Sequence, residues 1–372
     1  MTLNHHTYRE IKQQPRVWKS SYEIVRARKG EISSFIHKYL HGGGYEVILA
    51  GAGTSAYIGD ALQCSFSETP FKGARSIATT DIITNPSLYF GKESKVLLVS
   101  FARSGNSPES VAAVKAVERT AGAVAHIFIT CNADGALAKM KGDNILTVLL
   151  PPETNDKSLA MTSSYSTMFL VCSLIATIDR IEEQEQYVDS VASHMELAMD
   201  RYEGRIREIA ALDFKRAVFL GSGPLKGVAE ESRLKLQELT DGAVMCSFDS
   251  FLGFRHGPKA VVNEDSLIVY LLSPNEKVRQ YEMDLVDQIV AKNHIKGSVL
   301  VCFHNPGLDV SKFNLFVEIG IPDDTPSMFG AVTFVFVAQL LGYFKSLAIG
   351  LCPDSPSVSG NISRVVEGVK IY

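Results

Sequence analysis

The sequence lacks the features that mark several large classes of protein. Its six cysteines lie far apart, with no CxxC pair and no histidine at metal-ligand spacing, so neither a metal site nor a disulfide framework is expected. Each cysteine lies in or beside an apolar run, which predicts reduced, buried thiols. The net charge is −4 and the lysines and arginines are scattered, so there is no basic stripe for a nucleic-acid partner.

Targeting and membrane signals are also missing. The N-terminus has no apolar h-region, so we expect no secretory signal and a cytoplasmic protein. The apolar stretch Met328–Phe344 is interrupted by Gln339 and followed at once by Lys345. A clean run of about 20 apolar residues is needed to cross a bilayer. We therefore predict a buried core or interface helix there and no membrane partner.

What the sequence does contain is an internal duplication. An apolar run, a glycine-rich turn and a helical pattern occur around Gly51–Ser55 and again around Gly221–Gly223. In each copy a second apolar run with a polar turn follows about fifty residues later. The chain length of 372 residues also favours two domains. We predict an N-terminal helical segment over residues 1–43, a first domain over 44–200 and a second over 201–372.

Strand-like runs alternate with helical patterns in both copies, which is typical of βαβ units. The fold class predicted is α/β, with a parallel sheet flanked by helices in each domain, a three-layer αβα arrangement. The predicted strands are residues 47–50, 76–80, 96–101, 125–130 and 145–150 in the first copy, and 217–220, 243–246, 267–272, 298–302 and 315–319 in the second.

The turn after the third predicted strand has the composition of a phosphate site. Ser107 is the expected N-cap of the next helix, with Pro108 at its first position. Capping does not explain Ser104, or the hydroxyls of Thr54 and Ser55 in the neighbouring turn. Hydroxyls and free backbone N–H groups at a helix N-terminus bind phosphate well.

The kind of phosphate ligand is narrowed by two missing motifs. The sequence has no GxxxxGK[ST] of an ATP-binding P-loop and no GxGxxG of a dinucleotide site. A phosphate on a small molecule remains, bound without a metal ion or an organic cofactor. Because the second copy has lost most of these hydroxyls, we expect the first copy alone to bind the charged ligand.

A second group of polar residues lies in the second copy. Glu231, Lys235 and Glu238 share one helix face at i, i+4 and i+7. That spacing fits a solvated, salt-bridged face as well as an active site. His256 follows in an irregular Gly-Pro loop, and a lone histidine is more often structural than catalytic. Beside a carboxylate it is a candidate general acid or base, because its ordinary pKa lies near neutrality.

The motifs GAGTS, ARSGNS, LKLQEL and RHGP, in this order, resemble the SIS (sugar isomerase) family in its tandem form. The resemblance covers residues 45–372. Within this family, the nearest well-understood relative is the isomerase half of glucosamine-6-phosphate synthase. The stretches AGTSAYIGD, SFARSGNSPESVAAV and GFRHGPK are especially similar to bacterial proteins known as tagatose-6-phosphate ketose/aldose isomerases, which have been reinterpreted as galactosamine-6-phosphate deaminases.

The resemblance implies roles for individual residues. Glu238 matches the carboxylate that moves a proton between C1 and C2, His256 the imidazole that opens the sugar ring, and Lys235 a lysine that supports the carboxylate. Where the synthase has a tail lysine that forms a Schiff base, this chain offers Arg364, and a permanently protonated arginine does not form one. Either catalysis proceeds without a protein imine, or Lys370 takes the place of that lysine. The substrate-binding residues implied are Gly53, Thr54, Ser55, Arg103, Ser104, Gly105, Asn106, Ser107, Thr162, Ser163 and Arg364.

The function implied is an amino-sugar-6-phosphate deaminase that converts galactosamine 6-phosphate to tagatose 6-phosphate and ammonia. An aldose–ketose isomerase for galactose or tagatose 6-phosphate is an alternative, because it uses the same proton transfer. A sugar-phosphate-binding regulator is another, although residues 1–43 are too short and insufficiently basic for a helix-turn-helix. We also expect a homodimer or larger assembly, since the family's histidine reaches into the neighbouring subunit.

Overall fold

The computed structural model describes residues 4–292, 294–365 and 369–372, and the chain divides into two compact units. The first unit comprises Arg16–Asp156, Met161–Asp189 and Ser363–Tyr372. The second comprises Met1–Pro15, Lys157–Ala160 and Ser190–Ile362. Each unit contains one sheet and one copy of the repeated motif. The boundaries predicted at 43/44 and 200/201 treat the copies as consecutive segments, and they stay a prediction.

Both sheets have five parallel strands in the same order. The first is ordered β2-β1-β3-β4-β5 and the second β7-β6-β8-β9-β10, which is the same topology in the second copy. The predicted pair of parallel sheets is confirmed. The strands are β1 (Glu46–Ala50), β2 (Arg75–Ser76), β3 (Lys95–Ala102), β4 (Ala123–Thr130), β5 (Ile145–Leu149), β6 (Arg216–Gly221), β7 (Met245–Asp249), β8 (Ser266–Leu271), β9 (Gly297–Cys302) and β10 (Leu315–Glu318).

Helices fill the connections between the strands and form the N-terminal segment. In the first unit, Ile48 and Leu98 of the sheet pack with Val114 in a buried cluster, and Val218, Ile268 and Val286 do the same in the second. The helices are α1 (His6–Lys12), α2 (Gln14–Ala27), α3 (Lys29–Leu40), α4 (Thr54–Leu62), α5 (Thr79–Thr84), α6 (Pro86–Tyr89), α7 (Pro108–Thr120), α8 (Ala136–Lys139), α9 (Ser163–Ala176), α10 (Ile181–Ala211), α11 (Pro224–Leu239), α12 (Phe251–Phe254), α13 (Glu276–Lys292), α14 (Ser327–Gly330) and α15 (Val335–Ala348).

The duplication is visible in the backbone of the two glycine-rich turns. Gly53 precedes α4 with φ 53° and ψ −129°, and Gly223 precedes α11 with φ 57° and ψ −127°. A positive φ of this kind is available to glycine at little cost. The preceding glycines are needed for space, because a Cβ on Gly51 would lie 2.4 Å from the Ser55 carbonyl oxygen. The two copies therefore keep one turn geometry although their side chains differ.

Two predicted strands are partly wrong. The strand expected at residues 76–80 ends at Ser76, and α5 begins at Thr79, with Asp81 in its first turn. An acidic residue there favours a helix N-terminus. The strand expected at 243–246 lies at Met245–Asp249, because Asp241 and Gly242 both have positive φ and extend the turn after α11.

The apolar segment near the C-terminus is a core helix. Ser327–Ala348 is long and apolar enough, by length and composition, to cross a membrane, yet 94% of its most apolar window is buried inside the chain. Within the second unit α15 packs against α11. Of the two predicted alternatives, a core helix and an interface helix, the core helix is confirmed. Burial within one chain also means that this helix gives no argument for a partner subunit.

The cysteine prediction is wrong at two positions. All six thiols are free, Cys131, Cys172 and Cys302 are buried as expected, and Cys246 is half-buried. Cys64 and Cys352 are exposed, because Cys64 follows the end of α4 and Cys352 lies in the irregular segment after α15. An apolar neighbourhood in the sequence does not bury a side chain in a loop.

Candidate active site

The phosphate-binding turns predicted in the first copy lie where the strand order reverses. The chain moves from β1 outward to β2 and then returns to β3 on the other side of β1. In open α/β sheets ligands bind beyond the carboxyl ends of the strands at this reversal. The turns after β1 and β3, which carry Ser55 and Ser104, therefore lie at the position that the topology favours for a ligand.

A cavity of about 150 Å³ lies at these turns. It is lined by serine hydroxyls, by two guanidinium groups and by the carboxylate of Glu109. The two cations outnumber the one anion, which favours an anionic ligand. Its lining residues are Ala52, Ser55, Phe101, Ala102, Arg103, Ser104, Ser107, Glu109, Ser110, Met161, Arg364 and Val365. The structure thus brings together five of the residues predicted to bind substrate.

Ser107 has the capping role expected from the sequence. Its hydroxyl oxygen accepts from the backbone N–H of Ser110 at 3.2 Å and lies 2.7 Å from the Ser110 hydroxyl. It nevertheless lines the cavity, so capping and ligand contact are compatible at this residue. Gly105 has φ 65°, which turns the chain between β3 and α7 and places Ser104 at the cavity.

The two arginines of the cavity are tied to each other and to the backbone. Arg103 is 7% exposed and donates to the carbonyl oxygen of Arg364. The guanidinium of Arg364 donates through Nε to the Asp156 carbonyl oxygen at 2.8 Å and through Nη2 to Asn155 Oδ1 at 2.9 Å. Because these acceptors of Arg364 are neutral, its positive charge remains available to a ligand anion.

The remaining predicted binding residues do not line this cavity. Gly53 is the N-cap of α4, and Thr54, its first residue, is buried. Asn106 turns away and accepts from the backbone N–H of Ala136 at 2.8 Å. Their contact with substrate stays a prediction.

Thr162 and Ser163 are held at the start of α9 by a buried aspartate. Asp156 accepts from the Thr162 backbone N–H at 2.8 Å and from the Ser163 hydroxyl. It also accepts from the backbone N–H of Ser164 at 3.0 Å. In this state the two residues start a helix, and their closure over a ligand stays a prediction. Asp156 was missed because its distance from Thr162 in the sequence is not that of a capping box.

The acid–lysine–acid face in the second unit is a buried ion-pair triad. The Lys235 ammonium lies 3.2 Å from Glu231 Oε1 and 2.7 Å from Glu238 Oε2. The side chains of Glu231 and Lys235 are fully buried, whereas that of Glu238 is 22% exposed. The spacing of these residues also allowed a solvated helix face. That interpretation is wrong for Glu231 and Lys235, because both side chains are buried.

Helix packing explains why the triad is buried. A Cβ on Gly342 of α15 would lie 3.1 Å from the Lys235 carbonyl oxygen, so the two helices meet closely at this glycine. Burial by itself would lower the pKa of Lys235, but the two carboxylates outweigh it and raise the pKa. The lysine therefore stays charged and fixes the carboxylate of Glu238, the one member of the triad that solvent reaches.

Replacing Lys235 by methionine is expected to lower the free energy of unfolding by about 3–5 kcal/mol, because buried carboxylates would lose their cation. Urea unfolding followed by circular dichroism measures the change. Lys226 is exposed on the same helix, and Lys226→Met serves as the matched control. We expect about 0.5 kcal/mol or less for that surface change. Equal losses in the two variants would contradict the role given to the triad.

His256 lies in the loop after α12. The N-cap of that helix is Ser250, whose hydroxyl accepts from the Gly253 backbone N–H at 3.0 Å. Gly257 has φ 125°, which ends the helical turn and leaves His256 exposed. Among the described residues its imidazole makes no hydrogen bond. The side chain is free to meet a ligand, as its predicted role requires.

The neighbouring Arg255 was not singled out from the sequence. Its Nε and Nη2 atoms are buried and have no hydrogen-bond partner among the described residues. Two buried guanidinium nitrogens without acceptors are costly, so a ligand or a partner would find strong donors here. The only feature of the sequence that could have indicated a functional role for Arg255 was its position within the motif RHGP.

Comparisons with known proteins agree with this architecture. The SIS domain model matches residues 45–178. A protein named putative D-galactosamine-6-phosphate deaminase AgaS, from Streptomyces coelicolor, is 38% identical over 99% of this chain and 95% of its own length. The Escherichia coli protein named D-galactosamine-6-phosphate deaminase AgaS is 35% identical over 98% of this chain and 95% of its own.

A solved structure from Clostridium novyi, described as a putative tagatose-6-phosphate ketose/aldose isomerase, superposes with a TM-score of 0.95 at 34% identity. It covers 99% of this chain and 95% of its own. Identity at this level over nearly the whole length of both proteins goes beyond a shared fold. The chain belongs to the AgaS family of SIS-domain proteins.

Proposed function

We propose that this protein converts D-galactosamine 6-phosphate and water to D-tagatose 6-phosphate and ammonia. The observation that carries the proposal is the cavity at the β1 and β3 turns, where serine hydroxyls meet the guanidinium groups of Arg103 and Arg364. This set of groups suits a phosphate dianion on a small polar molecule. The D-galactosamine-6-phosphate deaminases named above are similar over nearly the whole chain.

The proposed reaction needs one carboxylate that acts on two neighbouring carbons. After ring opening, Glu238 removes the proton from C2, and the electron pair forms a double bond between C1 and C2. The carbonyl oxygen at C1 becomes a hydroxyl by taking the extra proton of the ammonium group at C2. The protonated Glu238 then returns a proton to C1, which leaves a C=N bond at C2. Water adds to this imine and ammonia leaves, giving the ketone. Lys235, 2.7 Å from Glu238 Oε2, orients the carboxylate throughout.

The remaining roles follow the same chemistry. His256 moves a proton between the ring oxygen and the C1 hydroxyl during ring opening, since an imidazole exchanges protons near neutral pH. Arg364 binds the phosphate and forms no imine, because a guanidinium stays protonated. The imine nitrogen is therefore the substrate's own amine, which matches a reaction that releases ammonia.

A second candidate function is favoured by the name of the C. novyi structure, a tagatose-6-phosphate ketose/aldose isomerase. Galactose 6-phosphate would use the same transfer between C2 and C1, without an amine. The two functions are separated by kcat/KM values for galactosamine 6-phosphate, glucosamine 6-phosphate and galactose 6-phosphate. We expect the first to be highest. A higher value for galactose 6-phosphate would favour the isomerase.

We also propose that the working form is at least a dimer and that His256 acts on substrate held by a neighbouring copy. The exposed imidazole on its irregular loop supports this arrangement. Mixing Ser104→Ala/Ser107→Ala subunits with His256→Ala subunits should restore activity at low substrate concentration. Half of the random dimers are mixed and each has one intact site, so about a quarter of wild-type activity is expected by two-fold symmetry. No recovery after verified subunit exchange would show that each chain builds its site alone.

A further inference from the structure

The second unit contains a cavity that corresponds in position to the first. Its volume is about 160 Å³, and it lies at the turns after β6 and β8 and at the segment Ser327–Phe334 before α15. The first cavity lies at the turns after β1 and β3 and at Met161, just before α9. The duplicated fold therefore has two clefts, each at the reversal point of one sheet. We call this one the second cleft.

The lining of the second cleft has a different chemistry. Leu225, Phe303, Ala331 and Phe334 give it an apolar wall. Its polar groups are the hydroxyls of Ser222, Ser273 and Ser327 and the amide of Asn275, and no residue that lines it is charged. An apolar, aromatic pocket with a few polar groups is the usual form of a small-molecule site.

A buried carboxylate of the chain accepts a hydrogen bond from a backbone N–H that a bound anion would otherwise use. Glu282 of α13 is fully buried, and its Oε2 accepts from the Ser273 backbone N–H at 2.9 Å. The side chain of Ser222 lies near this carboxylate and favours its charged form. The backbone N–H at the end of β8 thus already donates to an acid of the chain itself.

The surroundings of Glu282 disfavour a second negative charge. Burial raises the pKa of Glu282 to about 7, and its Oε1 has no hydrogen-bond partner among the described residues. The nearby Arg279 donates to the carbonyl oxygens of Ser273 and Pro274, at 3.2 and 2.9 Å, and thereby holds the turn closed. A phosphate would meet a buried environment that disfavours negative charge and a backbone donor that is already occupied.

We infer that the second cleft is a ligand site for a small uncharged molecule with one apolar ring and a hydroxyl or amide group. The ring fits the wall formed by Leu225, Phe303 and Phe334, and the polar group meets Ser222 or Ser273. An apolar protein cavity of about 150 Å³ is large enough for one benzene ring. Sugar phosphates are excluded from this cleft, so the two copies bind different classes of ligand.

The test uses benzyl alcohol as the probe, observed by saturation-transfer NMR on the full-length protein. We expect a signal with the wild type that excess tagatose 6-phosphate or benzyl phosphate does not reduce. Ala331→Phe fills the cleft and should abolish the signal. Ala348→Phe makes the same substitution at an exposed position of α15 and should retain it.

A second variant protects the test against misfolding. Ser327 is exposed at the cleft, so Ser327→Trp blocks it without disturbing the core. It should also abolish the signal, while thermal unfolding shows that the variant is folded. The inference is overturned if the wild type gives no signal or if the signal survives in both blocked variants. Displacement of benzyl alcohol by benzyl phosphate would overturn the exclusion of anions.

Discussion

Replacing Glu238 by glutamine is expected to lower kcat by about 10²–10⁴-fold, because the amide keeps the shape of the side chain but cannot accept the C2 proton. KM should change little, since the phosphate groups that hold the substrate are untouched. Steady-state kinetics with galactosamine 6-phosphate measures both constants. Exchange of the C2 proton with solvent should disappear in the same variant.

The matched control for this experiment is Glu264→Gln, which changes an exposed glutamate of the second unit. It should leave kcat and KM at their wild-type values. Near-normal turnover in Glu238→Gln would remove this residue from the mechanism. A large rise in KM with unchanged kcat would assign Glu238 to binding.

Removing two serine hydroxyls from the first cavity should have a comparably large effect on binding. A hydrogen bond to a charged group contributes about 1.5–3 kcal/mol. The double variant Ser104→Ala/Ser107→Ala should therefore lose about 10²–10⁴-fold in kcat/KM, mostly through a higher KM.

Two controls separate this loss from a loss of structure. Ser107 caps α7, and removing such a cap costs about 1 kcal/mol of stability, so thermal unfolding must be measured in parallel. Ser20→Ala, at an exposed position of α2 in the same unit, should leave KM unchanged. An unchanged KM in the folded double variant would show that the phosphate binds elsewhere.

Much of the fold could be predicted because its signals are local. The glycine-rich turns, the strand-like runs and the N-cap at Ser107 are each set by neighbouring residues, and the structure has all ten strands. The common face of Glu231, Lys235 and Glu238 follows from helix geometry alone. The duplication of the sequence also predicted that the two sheets would be alike.

What could not be predicted depends on contacts between distant parts of the chain. Whether the triad is buried is decided by α15, where Gly342 lets the helix approach Lys235. The hydrogen bonds from Thr162 to Asp156 and from Ser273 to Glu282 join residues six and nine positions apart, across irregular turns. No spacing within a single helix or strand indicates them.

The most direct test of the proposed deamination measures the fate of C1 and of the amino nitrogen of galactosamine 6-phosphate in one experiment. Wild-type protein is incubated with galactosamine 6-phosphate carrying ¹³C at C1, and NMR is combined with an ammonium assay. We expect the anomeric C1 signal to be replaced by the hydroxymethyl C1 of tagatose 6-phosphate, with one ammonium released for each molecule converted. Ammonium release with an anomeric C1 retained, or a new hydroxymethyl C1 without ammonium, would contradict proton transfer to C1 coupled to deamination.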